Sequence, residues 1–424
     1  MTRRPGSAML HLRAPLVVLD PERVARDAAV AFRDGRVIAA GPARAVARRV
    51  GVPARDAGDV VLAPGLANAH AHLELSALRG RLQPTRDLAG WIRAQIELLR
   101  GWSRDDFVRS YRLGVRLALA AGTTAVGDVC RRRFLVREAM RNPFRTVHHL
   151  EVIEPDASTN AVAAAIDELS RAIAAAERRG RPARMRLGLA PHAPYTVSGA
   201  LYRILCRRQS PGPVQTHLAE SRAERRLLRD GGGPLAALLR KTGRPLPFAE
   251  PPGVSPVAWL DRIGALRPPL VAVHANFLAR SDVERLARRR VPVVFCPRSH
   301  AFFRHPPHPA KALLRAGVAV ALGTDSLASN DALDVRAEMR EAVARHGLSP
   351  RDAWRMATVH GAAALGLARG GGRLRPGAPA DAIALSRPGG TGDRDLLERL
   401  MDPGVRIERI WVAGSCITLP GGRS

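Results

Sequence analysis

The chain of 424 residues reads as an α/β fold: a (β/α)8 TIM barrel with a small β-sandwich domain formed from both chain ends. Three observations predict it. The middle of the chain alternates short apolar runs with helical patterns. The two ends carry short strands and tight turns instead. A set of His and Asp residues also falls, in order, at the ends of apolar runs, where such a barrel gathers its functional side chains.

The flanks come first. Residues 8–40 contain Ala29-Val30-Ala31-Phe32, then Asp34-Gly35, then Arg36-Val37-Ile38-Ala39-Ala40-Gly41. Asp-Gly between two such runs is a hairpin signal. The C-terminal end returns to this style with Asp381 to Leu385 and Ile407 to Gly414. Residues 1–59 and 370–424 are therefore expected to pair into one composite β domain, with Gly370 to Gly377 as the exit from the barrel of residues 60–369.

Eight apolar strands are expected in the barrel: Val60–Ala63, Thr123–Val129, Thr146–Ile153, Met185–Ala190, Val214–His217, Leu270–His274, Val291–Cys296 and Val318–Leu322. Helical patterns lie between them, at Phe107–Ala121, Thr159–Arg179, Asp282–Arg290 and Ala332–Arg345. Continuous apolar strands alternating with helices imply a parallel sheet covered by helices. A doubly wound sheet is the rival, but no Gly-rich turn follows the first strand. Residues 231–256, rich in Gly and Pro, read as an insertion or lid-like loop.

The chemistry lies at the strand ends. His70 and His72 follow the first apolar run in Pro64-Gly65-Leu66-Ala67-Asn68-Ala69-His70-Ala71-His72. Period-two alternation puts both imidazoles on one face. His217, His274 and Asp325 end or follow strands five, six and eight. A lone His-x-His is weak evidence, whereas five such residues on one rim form a metal site. Three imidazoles and a carboxylate suit Zn²⁺, with Fe²⁺ as the second choice. An open position on the ion holds water and lowers its pKa towards ~7. Glu220, three residues after His217, is suited to proton transfer to a leaving nitrogen. His274 and Asp325 can orient the water and stabilise the hydroxide.

Composition excludes other classes. The four cysteines are scattered without a Cys-x-x-Cys pair, so neither a thiolate zinc site nor a disulfide framework is expected. Deaminases built on Cys-ligated zinc are excluded as models. No apolar stretch reaches the ~18 residues of a membrane span. Leu16–Leu19 is too short for a signal-peptide core, so a cytoplasmic location is expected. The net charge of +29 raises nucleic-acid binding. The arginines are dispersed, however, and aromatic residues make up only 4%, too few for base-stacking platforms. The expectation is a solvated basic surface, no specific nucleic acid and no membrane partner. A homo-oligomer stays open.

The stretches Pro64-Gly65-Leu66 to His72, His217-Leu218-Ala219-Glu220, His274 and Gly323-Thr324-Asp325-Ser326 resemble the amidohydrolase superfamily. More narrowly, they resemble its chlorohydrolase and adenosine-type deaminase branch. The terminal β segments, with Gly377-Ala378-Pro379-Ala380-Asp381, are similar to that family's composite domain. The resemblance implies His70, His72, His217 and Asp325 as ligands, Glu220 as proton shuttle and His274 as helper of the hydrolytic water. Some relatives hold two metals through a carboxylated lysine ending strand four. Here that strand leads into Gly188-Leu189-Ala190-Pro191-His192, so one divalent metal is expected.

The resemblance implies a small heterocyclic substrate and hydrolytic deamination of an amino-substituted ring, foremost an adenosine derivative of the S-adenosylhomocysteine, methylthioadenosine or aminofutalosine type. The alternatives are another ring C–N or C–halogen bond, or an inactive scaffold. Candidate substrate contacts are His192, Glu74, Trp91, Arg298, Ser299 and His300. His192 is otherwise a loop-positioning residue, and Trp91 a helix core residue. Arg298 and His300 meet either a substrate carboxylate or ribose, or the packing at the end of strand seven. His148, His149, His305 and His308 read as structural or surface residues.

Overall fold

The computed structural model describes residues 9–153, 184–207, 212–367, 369–389 and 395–418, with scattered positions between 163 and 175. Most of the predicted helix Thr159–Arg179 lies outside the described residues.

The N-terminal end supplies β1 (Leu10–Asp20), β2 (Arg23–Arg33), β3 (Arg36–Pro42), β4 (Arg55–Asp56) and β5 (Val60–Pro64). The C-terminal end supplies β14 (Ala382–Ser386), β15 (Ile407–Val412) and β16 (Ser415–Ile417). They form one mixed sheet in the order β16-β15-β14-β5-β1-β2-β3, with β4 beside β1. The predicted Asp34-Gly35 turn joins β2 to β3, and both residues have positive φ, as a type I′ turn requires. The sheet folds across itself. Val30, Phe32 and Val37 from one limb share a core with Leu62, Ala384 and Trp411 from the other. At the seam, the Val37 amide donates to the Ala378 carbonyl at 2.9 Å.

The barrel strands are β6 (Leu66–Ala71), β7 (Thr123–Cys130), β8 (Arg145–Val152), β9 (Met185–Pro191), β10 (Val214–Leu218), β11 (Leu270–His274), β12 (Val293–Phe295) and β13 (Val320–Leu322). All are parallel, in sequence order. The ring is drawn shut by a bridge between Ala71 and Asp325, where the Thr324 and Asp325 amides donate to the His70 carbonyl at 3.0 and 3.1 Å. Seven of these strands are those the apolar runs predict, to within two residues at either end.

The first is not. Val60–Ala63, expected as the first barrel strand, lies in the terminal sheet, parallel to β1 and antiparallel to β14. It misleads because it is buried on both faces, which is also how a barrel strand reads. Val61 and Ala63 pack into the barrel's core, while Val60 and Leu62 pack into the core of the terminal unit. The passage between the two units falls at Gly65. A Cβ there would lie 2.1 Å from the Thr124 hydroxyl, so only glycine lets the chain pass.

Residues 231–256 are not simply a loop. Pro234–Lys241 is helical, with Pro at its first turn, and Leu235, Leu238 and Leu239 face the cavity described next. Across the cavity stands the helix Leu88–Arg100, started by Asp87, whose carboxylate accepts from the Gly90 amide.

Candidate active site

The C-terminal ends of the barrel strands bring together the residues expected there. His70 is on β6 and His72 just beyond it. Their ring centroids are 4.9 Å apart. His217 on β10 lies 5.1 Å from His70 and is stacked on His72 at 5.6 Å. His274, at the end of β11, lies 5.3 Å from His217. Asp325 Oδ1 is 3.8 Å from His70 Nε2 and 3.7 Å from His72 Nε2. His274 Nε2 is 3.7 Å from Glu220 Oε1.

The backbone around this centre is shaped for it. Ala219, His274, Ala275 and Asp325 have φ between 51° and 71°, a left-handed conformation rare for residues other than glycine. Such backbone persists only where neighbours hold it in place. Glu224 does so after β10. Its carboxylate accepts from the Ala219 amide at 3.1 Å and the Glu220 amide at 2.7 Å. Asn276 adds a bond to the Glu220 carbonyl at 3.1 Å.

Two of the imidazoles, His70 and His217, are oriented by their outer nitrogen. His70 Nδ1–H donates to Gln215 Oε1 at 2.9 Å, and Gln215 in turn donates to the Ala69 carbonyl at 2.7 Å. His217 Nδ1–H donates to the His192 carbonyl at 3.0 Å. In both rings Nε2 is therefore an unprotonated lone pair. Such outer partners are what fix the tautomer of metal-binding histidines. Asp325 Oδ2 accepts from the Ser299 and Ser329 hydroxyls at 2.7 and 2.9 Å, while Oδ1 faces the imidazoles.

The electrostatics agree. Burial pulls His70, His72 and His217 down to about 4, so all three are neutral near pH 7. Burial pushes Asp325 up, but the adjacent histidines and the Ser299 hydroxyl outweigh it and hold the carboxyl well below its ordinary range. Burial, then the Asp325 and Glu224 carboxylates, push Glu220 well above the carboxylate range. His70 Nε2 is buried without a hydrogen-bond partner. An orphaned nitrogen among neutral imidazoles and one ionised carboxylate fits a divalent cation. Among the described residues, donor atoms of His70, His72 and Asp325 lie within 4.8 Å of one another, as do those of His70, His217 and His274.

The centre opens into a cavity of about 390 Å³. Of the predicted residues, His72, His217, His274, Asp325, Glu220, Glu74, Trp91 and His192 line it, with His70 just beneath. Glu74 is held by Arg132 at 3.1 Å and the Cys130 thiol at 3.2 Å. Trp91 Nε1–H donates to the Ala328 carbonyl at 3.3 Å. His192 Nδ1 shares a hydrogen bond with Thr196 at 2.8 Å, and a ring nitrogen of His192 lies within 4.8 Å of donor atoms of Glu151 and His217.

Arg298, Ser299 and His300 do not reach the cavity as substrate contacts. After Cys296 the chain turns into a short helix, Pro297–Phe302, and Pro297 starts it. That helix carries the Arg298 amide to Glu338 at 2.9 Å and its guanidinium to Asp331. It sends the His300 ring among Phe295, His305 and His346. Ser299 touches Asp325 instead. His148 and His149 are fully buried, and His148 pairs with Asp128 at 3.0 Å.

Sequence reading missed Gln215, Ser329, Glu224 and Glu151. Two of them carried signals. Gln215 is two residues before His217, so alternation places both on the barrel interior. Ser221-Arg222-Ala223-Glu224 has capping-box spacing.

A parallel eight-stranded barrel with a His/Asp centre on its rim and a buried carboxyl beside it defines a class: hydrolases that gather a divalent ion and a proton-transfer group at one mouth. The chain belongs to the amidohydrolase family, whose profile matches residues 61–412. It is 34% identical over 346 residues to the aminodeoxyfutalosine deaminase of Deinococcus radiodurans, covering 78% of this chain and 79% of that protein. It is 31% identical over 394 residues to the 5-methylthioadenosine/S-adenosylhomocysteine deaminase of Nitratidesulfovibrio vulgaris strain Hildenborough, covering 88% and 83%. The crystal structure of a Xanthomonas campestris adenosine deaminase with bound zinc superposes with a TM-score of 0.77 at 29% identity, covering 96% of this chain and 92% of that one.

Proposed function

We propose that the protein is a hydrolytic deaminase of an adenosine derivative of the aminofutalosine, methylthioadenosine or S-adenosylhomocysteine type, working with one bound zinc ion. The observation that carries this reading is Glu220, a buried carboxyl 3.7 Å from His274 at the edge of the His/Asp centre and facing the cavity. The deaminase relatives support the choice of substrate class.

His70, His72, His217 and Asp325 would hold the ion. When bound, a divalent ion lowers the pKa of water and so supplies a nucleophile near neutral pH. The water oxygen adds to the ring carbon that bears the amine. Glu220 takes a proton from the water and passes it to the ring nitrogen; it then moves the proton of the added hydroxyl to the amine, which leaves as ammonia as the C–N bond breaks and the C=O bond forms. A carboxyl lifted well above its usual range suits both halves of that transfer. His274 orients the attacking water. His192 and Glu74 contact the substrate beside the centre, and Trp91 walls the cavity.

Ammonia release and ultraviolet spectra across adenosine, S-adenosylhomocysteine, methylthioadenosine, aminofutalosine, guanine, cytosine and a chlorotriazine test this. Turnover of an adenine nucleoside is expected. Turnover of only another ring would replace the nucleoside reading with cleavage of a different C–N or C–halogen bond. Elemental analysis is expected to find close to one zinc per chain, and two tightly bound ions in active protein would overturn the single-metal assignment.

A further inference from the structure

We infer that His308, outside the cavity, is a positioning residue that holds His274 in its working conformation by hydrogen-bonding its main-chain carbonyl. The inference rests on the reading of His274 as the residue that orients the water.

His274 is an awkward residue to hold. It ends β11 with φ of 71°, and Ala275 follows at 52°. The ladder to β12 pairs Ala272 and Val273 and stops there. The His274 carbonyl thus leaves the sheet at the point where the backbone is strained. His308 Nε2 meets that carbonyl at 2.7 Å, in a buried site. A carbonyl only accepts, so Nε2 carries the proton and Nδ1 is bare; Nδ1 has no partner. Burial keeps the ring neutral, consistent with that tautomer. The ring itself is clamped. It stacks on Phe295 at 3.8 Å with planes 13° apart, and the edges of His300 and His346 flank it. A rigid donor on the outer side of the barrel therefore fixes a strained peptide whose side chain faces Glu220 on the inner side. The loop that carries His308 follows the helix Pro297–Phe302, whose Ser299 also orients Asp325. One excursion of chain after strand seven thus aligns two groups of the centre from behind.

The test compares His308→Phe, which keeps the stack on Phe295 but lacks the donor, with His308→Gln, which restores an N–H. Misplacing a reacting group by ~1 Å costs up to ~100-fold, so kcat of the Phe variant is expected to fall about tenfold or more. KM and zinc content should hold, and the Gln variant should recover most of the loss. The double variant His308→Phe/His274→Ala should be no slower than His274→Ala alone, because the two residues act as one unit. Should His308→Phe not fold, His308→Met fills the same space without a donor. Crystal structures add a readout independent of turnover: φ of His274 should relax and the His274–Glu220 separation should change. A donor-less variant with parental kcat and an unmoved His274 overturns the proposal. If His308→Phe is parental while His274→Ala is inactive, only the role of His308 fails. If His274→Ala is itself fully active, the underlying reading of His274 fails.

Discussion

At the scale of single residues, the centre is made by what holds each side chain. Glu220 follows a positive-φ residue and is fixed by the carboxylate of Glu224, so its own carboxyl is free for chemistry. Glu220→Gln is expected to bind metal as the parent does and to lose roughly 10²-fold or more in kcat, the scale of general acid/base catalysis. Near-parental turnover with unchanged metal would assign the proton transfer to another group. The imidazoles make a second prediction. Metal competes with protons for Nε2, and an ordinary histidine would begin to lose metal near its usual 6.5. Here the three imidazoles stand at about 4, so protons compete only at lower pH. Metal content after dialysis should be the same at pH 7.5 and pH 6 and collapse as the pH nears about 4. Elemental analysis across that range checks it, and half-loss already at pH 6 would contradict it.

At the scale of elements, the barrel works because strand ends meet closely at the centre. Gly323, at the end of β13, is where the last strand returns to the first. A Cβ there would lie 2.9 Å from the His70 carbonyl and from Val294. The His70 carbonyl is main chain and cannot swing away. Gly323→Ala should therefore cost about 1–3 kcal/mol of stability, the usual cost of overpacking. It should also weaken metal binding, since relief requires moving His70 or Asp325. Thermal unfolding with and without added zinc measures both, and an unchanged midpoint with unchanged zinc affinity would refute the account. The helices Leu88–Arg100 and Pro234–Lys241 form walls rather than chemistry. Leu238→Ala should raise KM for the preferred substrate with little change in kcat, because a wall binds ground state and transition state alike. A fall in kcat at constant KM would place this wall in the catalytic step.

At the scale of the whole molecule, two hydrophobic units share one sheet, in which β1, β5 and β14 each put residues into both cores. β5 serves both, and Asp381 ties them. Its carboxylate binds Arg145 of β8 at 2.6 and 3.1 Å and accepts from the Ala413 amide at 2.8 Å. The net charge of +29 acts at this scale too. Many arginines are already committed, as Arg112 with Glu138 and Arg289 with Asp261 show. Binding to DNA or RNA should accordingly be weak and vanish with modest salt, as counterion release without base contacts requires. Titration with single-stranded and duplex oligonucleotides at two salt concentrations checks this. Tight, sequence-dependent binding near physiological salt would make the basic surface a recognition site.

The sequence by itself determined the alternation of strand and helix, the pairing of the chain ends and the identity of the His/Asp set. Each of these is written in local patterns: apolar runs, the Asp34-Gly35 turn, and a His or Asp at the end of a run. Tertiary structure alone decided the rest. Burial on both faces made Val60–Ala63 look like a barrel strand, because one face meets the barrel and the other the terminal core, and a sequence does not say what lies opposite a face. Likewise Arg298 and His300 flank Ser299, which reaches Asp325, yet a proline-started helix turns them away from the cavity. Gln215 and Glu224 become orienting groups, and Ser299 supports Asp325, only once strands and helices distant in sequence are brought within hydrogen-bond reach. Side-chain type and periodicity are local properties; the direction a side chain faces after a strand ends depends on the packing around it.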